Sequence, residues 1–201
     1  MRVSRIQAAE NRQAVINVAS RLFRERGFDG IGLKDLMKGA GLTQGAFYKQ
    51  FASKDDLAAQ ASARALESAC RRWSNAAAAN PADPLGAVMA FYLSMGHREE
   101  KTDGCPIVAL GSDAARQGVD VKASFEAGIK DHLGMLGRWV GEADGEAARA
   151  KAMAILSTMV GAVVLSRAVN DEGLSKQFLQ AAAESVRSGS SSSDAKHGPR
   201  Q

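Results

Sequence analysis

The sequence predicts an all-α protein, and three observations carry that prediction. Alanine is abundant within a composition that is 45% hydrophobic and only 5% aromatic, and proline occupies just four positions. No stretch alternates apolar and polar residues with the two-residue period of a half-buried strand. The 201 residues supply enough apolar material for one or two helical domains with a true core.

The elements follow in order. Val15, Val18, Ala19, Leu22 and Phe23 recur at helical spacing and predict a first helix over 11–26, with Arg12, Arg21 and Arg24 left outside it and Gly27 as its left-handed cap. Two short helical pieces are expected next, over 33–39 and 44–51, separated by Ala40-Gly41-Leu42-Thr43. Gly41 permits the tight turn, and the Thr43 hydroxyl is expected to cap the second piece. A long helix is expected over 54–79, stopping before Asn80-Pro81.

Asp83-Pro84 is a cap followed by proline at the first helical position, opening a helix over 85–100 that the Thr102-Asp103-Gly104 turn ends. Cys105-Pro106 repeats that arrangement and opens a helix to about residue 116. Another is expected over 119–140, with Gly134, Gly137 and Gly141 weakening its end. The last two helices, 145–169 and 174–186, read as interface-forming. Ile155, Leu156, Met159, Val160, Val163 and Val164 surround Gly161 and Ala162 in the first, and Phe178 and Leu179 are apolar in the second. Residues 188–201 are rich in Ser and Gly without apolar periodicity and are expected to be disordered. The linear division is therefore 1–53 for a first domain, 54–79 for a connector helix, 80–187 for a second domain and 188–201 for a tail.

The net charge of +4 is unevenly spread: residues 1–54 carry +6 and the rest −2. A basic first domain points to a polyanion partner for that domain, since Lys and Arg neutralise phosphates. No segment approaches 18–20 uninterrupted apolar residues, and the first residues lack the apolar core of a signal peptide, so a soluble cytoplasmic protein without membrane association is expected. Cys70 and Cys105 are too few and too far apart for a disulfide framework. His97, His132 and His197 join no ligand cluster, so neither a metal nor a cofactor is expected.

Two short helices joined by a glycine turn on a basic domain form a helix-turn-helix, whose second helix enters a major groove while the first crosses the backbone. Ala19, Leu22-Phe23, Gly27-Phe28, Leu36, Ala40-Gly41-Leu42-Thr43, Gly45, Phe47-Tyr48, Phe51, Lys54 and Leu57 together resemble the N-terminal signature of TetR-family regulators. The resemblance implies an N-terminal three-helix DNA-binding domain and a C-terminal helical domain for ligand binding and dimerisation. It implies double-stranded operator DNA as partner, a homodimer through the helices at 145–169 and 174–186, and an unidentified small-molecule inducer acting through the long connector. Carried over by position, Thr43, Gln44, Gly45, Tyr48, Lys49 and Lys54 are the expected DNA contacts. Gln44 suits a bidentate bond to an adenine edge, Thr43, Tyr48, Lys49 and Lys54 suit phosphate, and Gly45 allows close approach. Leu42, Phe47 and Phe51 face inward by the same pattern. Gly32 stands where the family often has Thr, and Gln50 where His is common.

Phe91, Tyr92, Met95, Phe125, His132, Met135, Trp139 and Met159 are the candidate lining of an inducer pocket, against the alternative that they pack the core. Cys105 sits at a predicted helix N-terminus, where amide groups and the dipole favour a thiolate, and its Gly-Cys context is similar to that of TetR-type sensors of electrophiles or oxidants. The alternative there is a buried, inert cysteine. Two other functional classes compete. A thiol-dependent enzyme using Cys105 lacks a His/Asp partner spacing, a phosphate-binding glycine loop or a Cys-x-x-Cys pair, so no enzyme is expected. A helical interaction protein with a degenerate head leaves the basic domain without a purpose.

Overall fold

A computed structural model describes residues 4–140 and 145–191. Among these residues the regular structure is helical throughout: α1 (Arg5–Arg26), α2 (Leu33–Gly39), a 3₁₀ helix (Gln44–Lys49), α3 (Lys54–Ala79), α4 (Pro84–Tyr92), α5 (Met95–Glu99), α6 (Pro106–Ala114), α7 (Val119–Trp139), α8 (Glu146–Ala168) and α9 (Glu172–Ser191). The fold class read from the sequence holds.

Several boundaries move, each for a local reason. α1 starts six residues before its expected position, capped by the Ser4 hydroxyl accepting from the Gln7 amide at 3.1 Å. Its first turns are built from good helix formers that are exposed all round, so they carry no apolar period. The expected helix over 85–100 is two helices, because Ser94 donates to the Phe91 carbonyl at 2.8 Å and accepts from the His97 amide at 3.1 Å, ending one and capping the next. At the other end α9 runs on to Ser191, with the Ser188 hydroxyl bonded to the Glu184 carbonyl inside the helix. The expected tail therefore gives up 188–191 to α9, and its remainder, 192–201 with His197, lies outside the described residues.

The chain divides into two compact units that do not follow the linear division at 53 and 79. One unit takes the chain to Cys70 together with Lys101–Ile129; the other takes Arg71–Glu100 and the chain from Lys130. Apolar packing is the reason. Leu110, Ala114, Val121 and Phe125 join Val15, Ala19, Phe23, Phe28, Leu36, Met37, Phe47, Phe51 and Leu57 in one core. Gly128 lies so close to Leu66 that a Cβ there would come within 2.7 Å of the leucine Cβ, which keeps α7 and α3 in tight contact at this point. α1 also packs on α6.

In the second unit α8 packs along α9. Over eighteen residues α8 reaches a mean hydropathy of 1.5, so the expectation that no segment is apolar enough to cross a membrane needs correction: by length and composition α8 is. Ile155, Leu156, Met159 and Val163 are nevertheless buried, as in a core helix, while Met153, Val164 and Leu165 remain exposed. Two arginines tie α5 to the end of α8. Arg98 donates twice to the Ser166 carbonyl, at 3.2 and 3.1 Å, and Arg167 donates to the carbonyls of Arg98, His97 and Glu100 at 2.7 to 3.0 Å. Each guanidinium thus bonds to carbonyls near a helix end, where the regular ladder runs out.

His97 lies beneath this clamp, buried, with Nδ1 2.7 Å from the Tyr92 carbonyl and its ring 4.5 Å from that of Tyr92. Burial pushes its pKa down from 6.5 to about 4, against the Tyr92 hydrogen bond, which raises it. The fold therefore holds His97 neutral, and the stability this represents is present above about pH 6.5 and lost as the pH falls towards 4. By pH 5 the loss is roughly 2 kcal/mol. Urea titrations at pH 7.5 and 5 should show it in the parent and not in His97→Asn, which keeps an N–H donor but no titrating ring; equal losses in the two proteins would refute the assignment.

Candidate nucleic-acid interface

The first unit presents one short, exposed, polar row mounted on an aromatic anchor. Its geometry begins at the end of α2, where the Leu42 amide donates to the Met37 carbonyl at 2.9 Å and the Gly41 amide to the Lys38 carbonyl at 3.0 Å. This is a Schellman closure, and Gly41 adopts the left-handed φ of 71° that it needs. The chain leaves the turn extended at Thr43 and enters the 3₁₀ helix. Thr43 stands at the cap position, but its hydroxyl caps nothing, which corrects the sequence expectation. The Thr43 carbonyl accepts from the Ala46 amide at 3.0 Å, so the tight turn closes on backbone alone.

Phe47 anchors the row. It is fully buried, stacked on Phe51 at 5.4 Å and met edge-on by Tyr48 at 5.2 Å. Thr43, Gln44, Gly45, Tyr48 and Lys49 are exposed, Tyr48 at 68%, and Lys54 is half-buried at the start of α3. No atom lies within 4 Å of where a Cβ on Gly45 would stand, so the surface is open at that position. Leu42 is partly buried against the same core as Phe47 and Phe51. Gly32 caps α2 with backbone only. Lys34 and Lys38, not singled out in the sequence, are also exposed on α2, four residues apart.

Two arginines read as outward-facing are not. Arg12 is half-buried: Nε donates to the Gln50 carbonyl at 3.3 Å, one terminal nitrogen donates to Gln60 Oε1 at 2.6 Å, and the guanidinium lies 4.8 Å from the centre of the Phe51 ring. Gln60 donates in turn to Asp56 Oδ1 at 2.6 Å, and Asp56 Oδ2 accepts from the Ala52 amide at 3.0 Å. Arg24 is buried, its side chain 4% exposed, and donates to the carbonyls of Ser20 at 3.0 Å and Gly104 at 3.1 Å, with Asp103 at 3.7 Å. Helical periodicity could not find either, because their partners are backbone carbonyls and remote side chains.

Gly104 precedes Cys105, which caps α6 with Pro106 at the first helical position. Cys105 is a buried thiol, 4% exposed. The proposed inducer-pocket residues do not all gather. In the second unit Tyr92, His132 and Trp139 surround Trp73 at ring distances of 5.5, 4.7 and 6.5 Å. Tyr92, His132, Met135 and Met159 are buried, and Phe91, Met95 and Trp139 half-buried. Phe125 belongs to the core of the first unit, because α7 serves both cores along its length. Trp73, which no sequence pattern separates from the rest of the long helix, is the centre of the cluster. A cleft of about 290 Å³ in the second unit is lined instead by Lys130, Leu133, Gly134, Gly137, Arg138, Gly145, Ala148 and Arg149.

Residues 15–61 match the model of the family described as bacterial regulatory proteins, tetR family. Over 56 residues the chain is 41% identical to the transcriptional regulator AcrR of Shigella flexneri, a match covering 28% of this chain and 26% of AcrR. Over 130 residues it is 22% identical to the transcriptional repressor NemR of Escherichia coli, covering 63% of this chain and 65% of NemR. The matches thus span less than two thirds of either relative. Among solved structures, E. coli NemR in a reduced form superposes with a TM-score of 0.74 at 21% identity, over 89% of this chain and 97% of that one. A TetR transcriptional regulator from Chloroflexus aurantiacus superposes with a TM-score of 0.75 at 25% identity, over 90% and 96%.

Proposed function

We propose that the chain is a TetR-family regulator and, from that premise, a DNA-binding transcriptional repressor, not an enzyme, acting in the cytoplasm as a homodimer. The observation that carries this reading is the exposed row Thr43, Gln44, Gly45, Tyr48 and Lys49, held over buried Phe47 and Phe51. Gln44 reads a base edge, with adenine the partner that its amide matches in a bidentate pair. Thr43, Tyr48, Lys49 and Lys54 bind phosphates and fix the register. Openness at Gly45 lets the backbone come close to the duplex.

The dimer is proposed to form through α8 and α9, where Met153, Val164, Leu165 and Leu174 are exposed although large and apolar. A two-fold dimer places its two heads on half-sites about 34–36 Å apart, or a multiple of that distance.

Release from the operator is proposed to follow either binding of a small-molecule inducer or modification of Cys105. Packing favours the second. The aromatic cluster around Trp73 is close-packed, whereas Cys105 directly follows the glycine whose carbonyl holds Arg24 of the DNA-reading unit. In the modification, the sulfur bonds to an electrophilic carbon and its proton leaves to solvent. The burial of Cys105 means that the 101–105 turn opens first. That NemR has been solved in a form described as reduced brings a redox change into the same reading.

Three results test the proposal. Selection of random duplexes on the purified protein should yield a two-fold operator. Gln44→Ala should relax preference at one base-pair position, while Lys49→Ala weakens binding to all sequences and lowers the salt slope by about 1. Absence of any specific complex at low salt would refute the repressor reading. In sedimentation velocity the parent should run at twice the 21.2 kDa chain mass and Leu165→Asp should shift towards the monomer; a parent that is monomeric at micromolar concentration removes the dimer. N-ethylmaleimide should release the operator from the parent and not from Cys105→Ser, and equal release from both would eliminate Cys105 as the switch.

A further inference from the structure

We propose that Arg12 is the positioning residue of the DNA-reading row, fixing from α1 the place where the 3₁₀ helix ends; the proposal rests on the DNA-binding reading above. The argument begins from the weakness of the element itself. A six-residue 3₁₀ helix has poor hydrogen-bond geometry and no stable length of its own, so its far end has to be held from outside. Phe47 holds the middle by burial. The residues after it, Gln50 and Phe51, carry the chain into α3, and their placement decides where Tyr48, Lys49 and Lys54 stand.

Arg12 takes hold of that exit in three ways at once. It bonds to the Gln50 carbonyl, an acceptor left over at the helix end, lies over the Phe51 ring, and bonds to Gln60 of α3. Through Gln60 and Asp56 the chain of bonds returns to the Ala52 amide, one residue past Phe51. A planar fork with several fixed N–H donors can serve a carbonyl, an amide oxygen and a ring face together, and an ammonium cannot. These inward contacts set Arg12 apart from a phosphate-binding cation, although charge alone would count it as one.

Two measurements on Arg12→Lys, which keeps the charge, test this. In the DNA-free protein, amide exchange at Gln50, Phe51 and Ala52 should rise at least tenfold, with the amides of Ala19 and Phe23 in the same α1 unchanged; unaltered exchange at the exit would overturn the proposal. On DNA, the ratio of operator to non-specific affinity should fall at least tenfold with the salt slope unchanged, whereas Lys49→Ala lowers the slope. If Arg12→Lys keeps the parent's ratio and Arg12→Gln lowers the slope by about 1, Arg12 is a phosphate contact and the proposal fails. Should Arg12→Lys melt below the assay temperature, Gln60→Ala, which removes one of the three contacts, is judged by the same criteria. A parent that selects no DNA sequence would refute the regulator reading itself, and the exchange measurement would still decide whether Arg12 holds the exit.

Discussion

Everything at the candidate interface depends on the burial of one ring, Phe47. Removing such a side chain from water contributes roughly 2 to 3 kcal/mol, more than a single turn of 3₁₀ helix gains from its own hydrogen bonds. The ring is fully buried in the core formed by α1, α2, α3 and parts of α6 and α7. Tyr48 and Lys49, which follow it, are therefore turned outward. Tyr48 is held by a T-shaped contact with Phe47 while most of its surface stays exposed. The polar row is a consequence of the apolar anchor, not an independent feature of the surface.

This explains which parts of the fold were legible in the sequence. Val15, Ala19 and Phe23 declare α1 because a 3.6-residue period and burial are the same fact seen twice. Gly41 declares the turn because the backbone there needs a positive φ, and Asp83-Pro84 and Cys105-Pro106 mark helix starts by chemistry that acts over a few residues. The inward Phe47 and outward Gln44 were legible through the family pattern. What stayed hidden depends on distant partners. Arg12 and Arg24 fall on the polar side of α1 by period, yet one is half-buried and the other buried, because carbonyls 38 and 80 residues away accept from them. The break at Ser94 was hidden for a smaller reason, since a serine inside an apolar run is as compatible with a helix as with a cap.

The grouping of 101–129 with the N-terminal helices is the largest departure from a linear reading, and it bears on regulation. A segment expected to lie wholly in a separate sensing domain supplies Leu110, Ala114, Val121 and Phe125 to the core beneath the exposed polar row. Arg24 strengthens the connection. Burying a guanidinium costs several kcal/mol unless its donors are satisfied; the Ser20 carbonyl offsets part of that cost within α1, and the Gly104 carbonyl and Asp103 add their share only while the 101–105 turn keeps its present form. Opening that turn would take the Gly104 carbonyl from a buried guanidinium, so the turn and α1 are coupled by electrostatics as well as by packing.

The two arginines then give α1 a particular role. Arg12 and Arg24 are twelve residues apart on one helix, a separation of about 18 Å along its axis at 1.5 Å per residue. At one end the helix holds the exit of the 3₁₀ row, and at the other it holds the turn next to Cys105. A packed helix moves as a body and does not stretch, so a displacement at Arg24 reaches Arg12 as a shift or rotation of similar size. The row at Gln44 to Lys49 is short and depends on that hold. On the proposed function no separate signalling element is needed within the first unit, because the helix that supports the exposed row also rests on the turn next to Cys105.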